Sequence, residues 1–226
     1  MATQPGEQVA AACQRLFGSP ADYEEPVGYD GLALAIIDAV WSIGVRYGGV
    51  GHVLNNYRAW VVATYDTSAE ERSGPELSGD IARVGGPEAF ASTVVHNHQR
   101  TSSRGGMLKA AAVDQAARAL AAEGVTTTAE LREHAESLAV KAAWRGVHGQ
   151  SSGISWHYVL MNARFDDVKA DRMICAFVAR ALGQPKVLAA VAYDEVIAAH
   201  QQLKAIAPGL TLKALDHRIW SYQRAR

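Results

Sequence analysis

The stretch that decides the fold runs from Val140 to Gly183: VKAAWRGVHGQSSGISWHYVLMNARFDDVKADRMICAFVARALG. A helix ends near Trp144–Gly146. A tight glycine-containing turn follows, His148-Gly149-Gln150-Ser151-Ser152-Gly153. Ile154, Tyr158 and Met161 then share one face of a second helix. Arg164 to Ala170 is irregular. Asp171 stands directly before Met173, Ile174, Phe177, Val178 and Ala181, which fall on one face of a third helix. An aspartate ahead of an apolar-periodic run is an N-cap, because its carboxylate accepts backbone N–H groups that lack an intrahelical partner.

The same periodicity extends outward. Leu32, Ile36, Ala39, Val40 and Ile43 share a face, as do Leu108, Ala112, Ala116 and Leu120, and Leu212, Leu215, Ile219 and Tyr222. KAAAVDQAARALAAEG and VLAAVAYDEVIAAH favour helix intrinsically. Gly124 suits the end of one helix, and Thr126–Thr128 with Glu130 and Glu133 suits the start of the next. Gly48, Gly49 and Gly51 break the Ile43–Tyr57 region into two helices. Trp60-Val61-Val62 fits either an extended piece or a helix, and no series of alternating strands is present. The expected fold class is all-α, with nine to twelve helices joined by short turns.

The chain has 226 residues, with 49% hydrophobic and 20% charged, which is the composition of a globular protein. The start, MATQPGEQVA, has neither a basic patch nor an apolar stretch, so no secretory signal is expected. The longest apolar segment, GLALAIIDAVWSIGV, carries Asp38 near its middle and is too short to span a bilayer. Cys13 and Cys175 are the two cysteines, too few for a disulfide framework, a four-cysteine zinc site or an iron–sulfur cluster. His96 and His98 form a His-x-His pair with no third ligand nearby in sequence, and no metal site is expected. A cytoplasmic protein without membrane attachment follows as an expectation. P-loop, dinucleotide and Gly-x-Ser-x-Gly signatures are absent.

The net charge of −1 hides an asymmetry. Residues 1–96 carry 5 Lys/Arg against 12 Asp/Glu, residues 97–180 carry 11 against 8, and residues 181–226 carry 6 against 3. The later part of the chain thus has cations enough for a local face that meets phosphates, or simply for an unevenly charged solvated surface.

The segment resembles the helix-hairpin-helix DNA glycosylases, the superfamily of endonuclease III-like and alkyl-purine-excising repair enzymes. Their hairpin reads roughly Leu-Pro-Gly-Val-Gly, then a helix, then Val-Asp-Thr-His opening another helix. Here Val147-His148-Gly149-Gln150-Ser151 stands at the hairpin and Lys169-Ala170-Asp171-Arg172 at the later helix start, with matching spacing. Gly105-Gly106-Met107-Leu108-Lys109-Ala110 is similar to the family's glycine-then-Lys-Ala segment, with a shorter spacing. Leu34 to Ile43, ending at Trp41 and Ser42, resembles the early helix whose following loop fills the gap left by a flipped base. The likeness covers residues 30–183 and is specific over 106–183.

The resemblance implies two helical subdomains flanking a cleft. One comprises residues 1–30 with 165–226, and the other residues 31–164, with the helix-hairpin-helix at about 140–164. It implies Asp171 as the catalytic carboxylate. Gly149, Gln150, Ser151, Ser152 and Gly153 become DNA-backbone contacts, through small residues that let N–H groups approach a phosphate at a helix N-terminus. Arg104, Lys109 and Arg172, with Arg100, Arg145 and Lys169, are the cations to hold flanking phosphates. Trp41, Tyr47, Trp156 and His157 are the residues to line a pocket for an extruded base. Each has an ordinary reading beside this one: a capping turn, a capping aspartate, solvated charges and packed core aromatics.

The departures narrow the chemistry. His148 replaces the hairpin proline and Ser151 its second glycine. Bifunctional members place a lysine nucleophile where Gly153 stands, and glycine forms no Schiff base. The expectation is a monofunctional DNA glycosylase, needing no cofactor and no obligate protein partner, that acts on double-stranded DNA and associates with the nucleoid when bound. Alkylated purines, deaminated or mismatched bases, and bulky modified cytosines of phage DNA are all compatible substrates; the last would make it an antiviral defence enzyme. The rivals are a non-catalytic helix-hairpin-helix DNA-binding protein and a helical protein unrelated to DNA.

Overall fold

A computed structural model of the chain describes residues 4–44 and 49–225. Among these the chain is all-α, with twelve helices and no strand beyond an isolated bridge between Arg100 and Leu108. In chain order they are α1 (Glu7–Phe17), α2 (Leu32–Ser42), α3 (Gly49–Tyr65), α4 (Gly74–Arg83), α5 (Pro87–Ala89), α6 (Lys109–Ala122), α7 (Thr128–Glu133), α8 (Leu138–Gly146), α9 (Ile154–Asn162), α10 (Arg172–Ala181), α11 (Ala189–Lys204) and α12 (Leu212–Arg224). Trp60-Val61-Val62 lies inside α3, not in an extended piece, and Gly49 and Gly51 form that helix's first turn.

The chain divides into two compact units. The larger, Gly28–Phe165, holds α2 to α9 and is built round α2. Nine of that helix's eleven residues are buried, since it is apolar on every face except at Asp38 and Ser42. It packs against α3, α4, α6 and α9. Asp80, on α4, is a buried charge among them. The Asp80 carboxylate accepts from Tyr57 Oη and Tyr65 Oη at 2.7 Å each, and from Arg72 Nε at 2.9 Å and Nη2 at 2.6 Å. Four donors on one carboxylate offset the cost of taking its charge out of water.

The smaller unit comprises the residues up to Val27 with Asp166 onward. Here α1 packs on α11 and α10, and α12 on α10 and α11. Phe17 gathers Tyr23, Phe177 and Tyr222 within 6.0 Å between ring centres. Gly6, at φ 77°, leads into α1 so close to α11 that a β-carbon there would lie 2.3 Å from the Ala199 nitrogen.

Local capping sets many helix starts. Ser73 with Glu76, and Thr127 with Glu130, form reciprocal capping boxes at α4 and α7. Ser137, Asp171 and Thr211 cap α8, α10 and α12 through their side chains.

Candidate functional site

In the larger unit, α8 and α9 are joined by three successive tight turns. Val147 N–H donates to Trp144 O, Gln150 N–H to Val147 O and Gly153 N–H to Gln150 O. The turn closes because Gly149 and Gly153 adopt φ of 85° and 81°, a region costly for residues with a β-carbon. Gly149 is needed for space as well, since a β-carbon there would sit 2.7 Å from Thr101 Cβ. Trp144 Nε1 donates to Ser155 Oγ at 3.0 Å beneath the turn, and Arg145 Nε and Nη2 clasp Ser151 O at 3.1 and 2.9 Å. Gly149, Ser151 and Ser152 are exposed at the head of α9, where the first N–H groups of a helix precede their intrahelical partners.

Gln150 does not join them. Its side chain is 1% exposed, and its N–H is spent on Val147 O. As a phosphate contact it is corrected to a buried residue of the turn, with Oε1 lacking a protein partner.

The cationic loop before α6 is folded back on itself. Thr101 N–H donates to Met107 O at 2.9 Å, Lys109 N–H to Gln99 O at 2.9 Å, and Arg100 Nη1 to Gly106 O at 2.8 Å. Its contact through Thr101 brings the loop against Gly149, so exposed Arg104, exposed Arg145 and the glycine turn belong to one region of this unit. Lys109 does not take part. It is 1% exposed, and its Nζ donates to Trp41 O at 2.8 Å and Ile43 O at 2.7 Å. The expected phosphate contact is therefore an internal lysine that satisfies the last carbonyls of α2, a place where cations are favoured. Burial pulls its amine down to about 8.

Two of the expected pocket aromatics are also corrected. Trp41 is fully buried in the core, and Trp156 is 1% exposed with its ring 6.5 Å from that of Trp144. Both bury large apolar surface between helices. Tyr47 lies outside the described residues. His157 is half-buried on α9, beside half-buried Tyr158. Tyr158 belongs to a polar group that sequence reasoning missed. Tyr29 Oη donates to Asp38 Oδ2 at 2.6 Å, Ser42 Oγ donates to Asp38 Oδ1 at 2.8 Å, and Ser42 Oγ lies 3.4 Å from Tyr158 Oη. Burial first, then Asp38, push the Tyr29 phenol well above its usual range. The available signal was Asp38 itself, a charge in an otherwise apolar run.

In the smaller unit Asp171 is the N-cap of α10. Its Oδ1 accepts from Met173 N–H at 2.8 Å and Ile174 N–H at 3.1 Å, the residue is half-buried, and Arg172 beside it is exposed. A second acid, Asp216 on α12, was also missed. It is buried and accepts Lys169 N–H at 3.1 Å. Burial pushes its carboxyl up to about 7; Lys169 opposes the shift, and Asp171 and Asp167 add to it by repulsion. The signal was an acid on the apolar face of α12, one turn after Leu212 and three residues before Ile219. Among the described residues, no group of three His, Cys, Asp or Glu side chains is arranged to hold a metal ion. None of the described helices is long and apolar enough to cross a membrane.

A family model described as "Domain of unknown function (DUF8548)" matches residues 7–224, and the chain belongs to that family. No curated protein and no solved structure matches the chain.

Proposed function

We propose that this member of the DUF8548 family is a monofunctional DNA glycosylase of the helix-hairpin-helix kind, which flips a modified or damaged base and hydrolyses its N-glycosidic bond. The observation that carries the reading is the turn at 147–153. Two left-handed glycines, two exposed serines and the head of α9 stand beside Arg145 and beside Thr101 of the loop that carries exposed Arg100 and Arg104. This is the combination that accepts a phosphate: small residues, helix-terminal N–H groups and nearby guanidinium charge. The spacing from this turn to Asp171, which matches the family pattern, adds support.

Asp171 supplies the carboxylate in this reading. Its cap fixes one oxygen on two N–H groups and so orients the side chain. As the bond to the base breaks, positive charge builds on the sugar; a fixed carboxylate stabilises it and orients or deprotonates the attacking water. The position of a Schiff-base lysine is Gly153, whose nearest cation is Arg145, a guanidinium and not the primary amine a Schiff base requires. Strand cleavage by that route has no amine to perform it. Tyr29, Asp38, Ser42 and Tyr158 replace Trp41 and Trp156 as the residues proposed to line the base pocket, joined by His157.

The test is incubation of the purified chain with duplexes carrying alkylated purines, deaminated or mismatched bases, or bulky modified cytosines, followed by mass analysis of free bases. Release lowered at least about 100-fold in Asp171→Asn, with duplex binding retained, supports the enzyme. Binding without release from every duplex identifies a non-catalytic DNA-binding module. Absence of salt-sensitive duplex binding removes both readings.

A further inference from the structure

The segment that delivers Asp171 to α10 is held by α12 at two points. Lys213 N–H donates to Asp166 Oδ1 at 3.1 Å, and Lys169 N–H donates to Asp216 Oδ1 at 3.1 Å. Between them Asp167 Oδ1 accepts from Val168 N–H at 2.8 Å and from Tyr193 Oη of α11 at 2.9 Å. Asp171 N–H then donates to Lys169 O at 2.7 Å. Lys169 therefore gives its N–H to Asp216 and its carbonyl to Asp171. Two hydrogen bonds across one residue link the Asp216 carboxylate to the backbone of the capping acid.

The position of Asp216 is costly. It is 3% exposed, on a helix whose other buried residues are Lys213, Ala214, Leu215, Ile219 and Gln223. A leucine there would pack without desolvating a charge, so the acid needs a reason. The charged groups that act on it come from three directions. Lys169 attracts it, while Asp167 on the same segment and Asp171 at the head of α10 repel it. On α12 itself, Lys213 is paired with Glu25 at 2.7 Å, and the neighbouring His217 ring is held below its usual range by burial and by Lys169, against Glu24. From α11, Tyr193 Oη is bonded to Asp167.

Resting on the reading of Asp171 as the carboxylate that meets the sugar, we propose that Asp216 is its positioning residue: through Lys169 it holds the turn that presents Asp171, and its gain or loss of a proton regulates that presentation. An ionised Asp216 is a strong, charge-assisted acceptor for the Lys169 N–H and a like charge facing Asp171. A protonated Asp216 is a weaker acceptor and carries no repulsion. Base release then depends on an ionisation that does not belong to the carboxylate performing the chemistry.

The experiment is a pH series of amide spectra on the full 15N-labelled chain, from about pH 5 to about pH 9. The Lys169 and Asp171 amide resonances are expected to move together with a midpoint at about 7. Asp216→Asn keeps an oxygen acceptor for Lys169, so it preserves the turn and abolishes the movement. Any movement driven by His217 survives in that variant, which separates the two groups. Asp216→Ala also removes the acceptor and displaces the Lys169 resonance at every pH. Lys169 and Asp171 amides that do not titrate, or that titrate equally in Asp216→Asn, overturn the proposal.

With a cleaved substrate in hand, Asp216→Asn is expected to lose the inflection in kcat against pH while KM is unchanged. Asp216→Ala lowers kcat on the order of 10-fold, and the asparagine variant recovers it. If no duplex releases a base while the resonances behave as stated, the glycosylase reading falls and the regulated turn stands. If release requires Asp171 but keeps its pH profile in Asp216→Asn, the glycosylase reading stands and this proposal falls.

Discussion

Lys109 Nζ, in the first turn of α6, donates to the carbonyl of Trp41 at 2.8 Å, near the end of α2, with Ile43 O as its second acceptor. Lys109→Met keeps the apolar stem and leaves two carbonyls without their donor. A loss of about 1–3 kcal/mol is expected in urea unfolding. The pH dependence has a definite sign. The folded amine sits at about 8 and its ordinary value is 10.5, so between them the unfolded chain holds more protons and stability rises with pH. The gap between wild type and Lys109→Met therefore widens from pH 7 to about pH 10. A gap that narrows over that range contradicts the assignment of a desolvated, bonded amine.

Gly149 and Gly153 separate two causes of strain. Both have positive φ, but only Gly149 has Thr101 Cβ at 2.7 Å from a built β-carbon; at Gly153 the nearest atom is 3.7 Å away. Gly153→Ala is expected to cost about 1 kcal/mol from backbone conformation alone, and Gly149→Ala about 1–2 kcal/mol more. Thr101→Gly in the Gly149→Ala background recovers the steric part. Unfolding of the two single variants and the double variant measures it, and simple additivity of the costs contradicts the contact.

Asp216 gives stability an unusual slope for a carboxylate. Its folded value, about 7, lies above its ordinary 3.8. The folded chain holds the extra proton between these values, so this contribution is fully present below about pH 4 and is lost as pH rises through about 7. About three pH units correspond to at most roughly 4 kcal/mol. Asp216→Asn removes the slope and is at least as stable as wild type at pH 8. Parallel stability curves for the two proteins contradict the buried acid.

Arg145 clasps the glycine turn and Arg104 is an exposed cation of the loop whose Thr101 meets it, while Lys109 is internal. Arg104→Ala and Arg145→Ala are each expected to weaken duplex binding and to reduce the slope of log K against log salt by about 1. Loss of the Arg145 clasp on Ser151 O adds a structural component in that variant, which unfolding measurements report separately. An unchanged slope in both variants places the interface elsewhere.

What the sequence determined by itself is local in its physics. The α10 start at Asp171, the Thr127–Glu130 box opening α7 and the left-handed Gly124 and Gly153 all depend on residues within one or two turns of each other. Alternation of apolar and polar positions at helical spacing likewise made the all-α class legible. What the tertiary structure decided is the destination of each side chain. Lys109 meets carbonyls 68 and 66 residues away, Gln150 turns inward, and Trp41 and Trp156 fill core positions. Asp38 and Asp216 are acids in otherwise apolar stretches, and each has a partner from another segment of its own unit, Tyr29 Oη and Lys169 N–H. A helical period states which face is buried, but whether a lysine on it meets phosphate or a carbonyl depends on chain remote in sequence, and no local spacing encodes that.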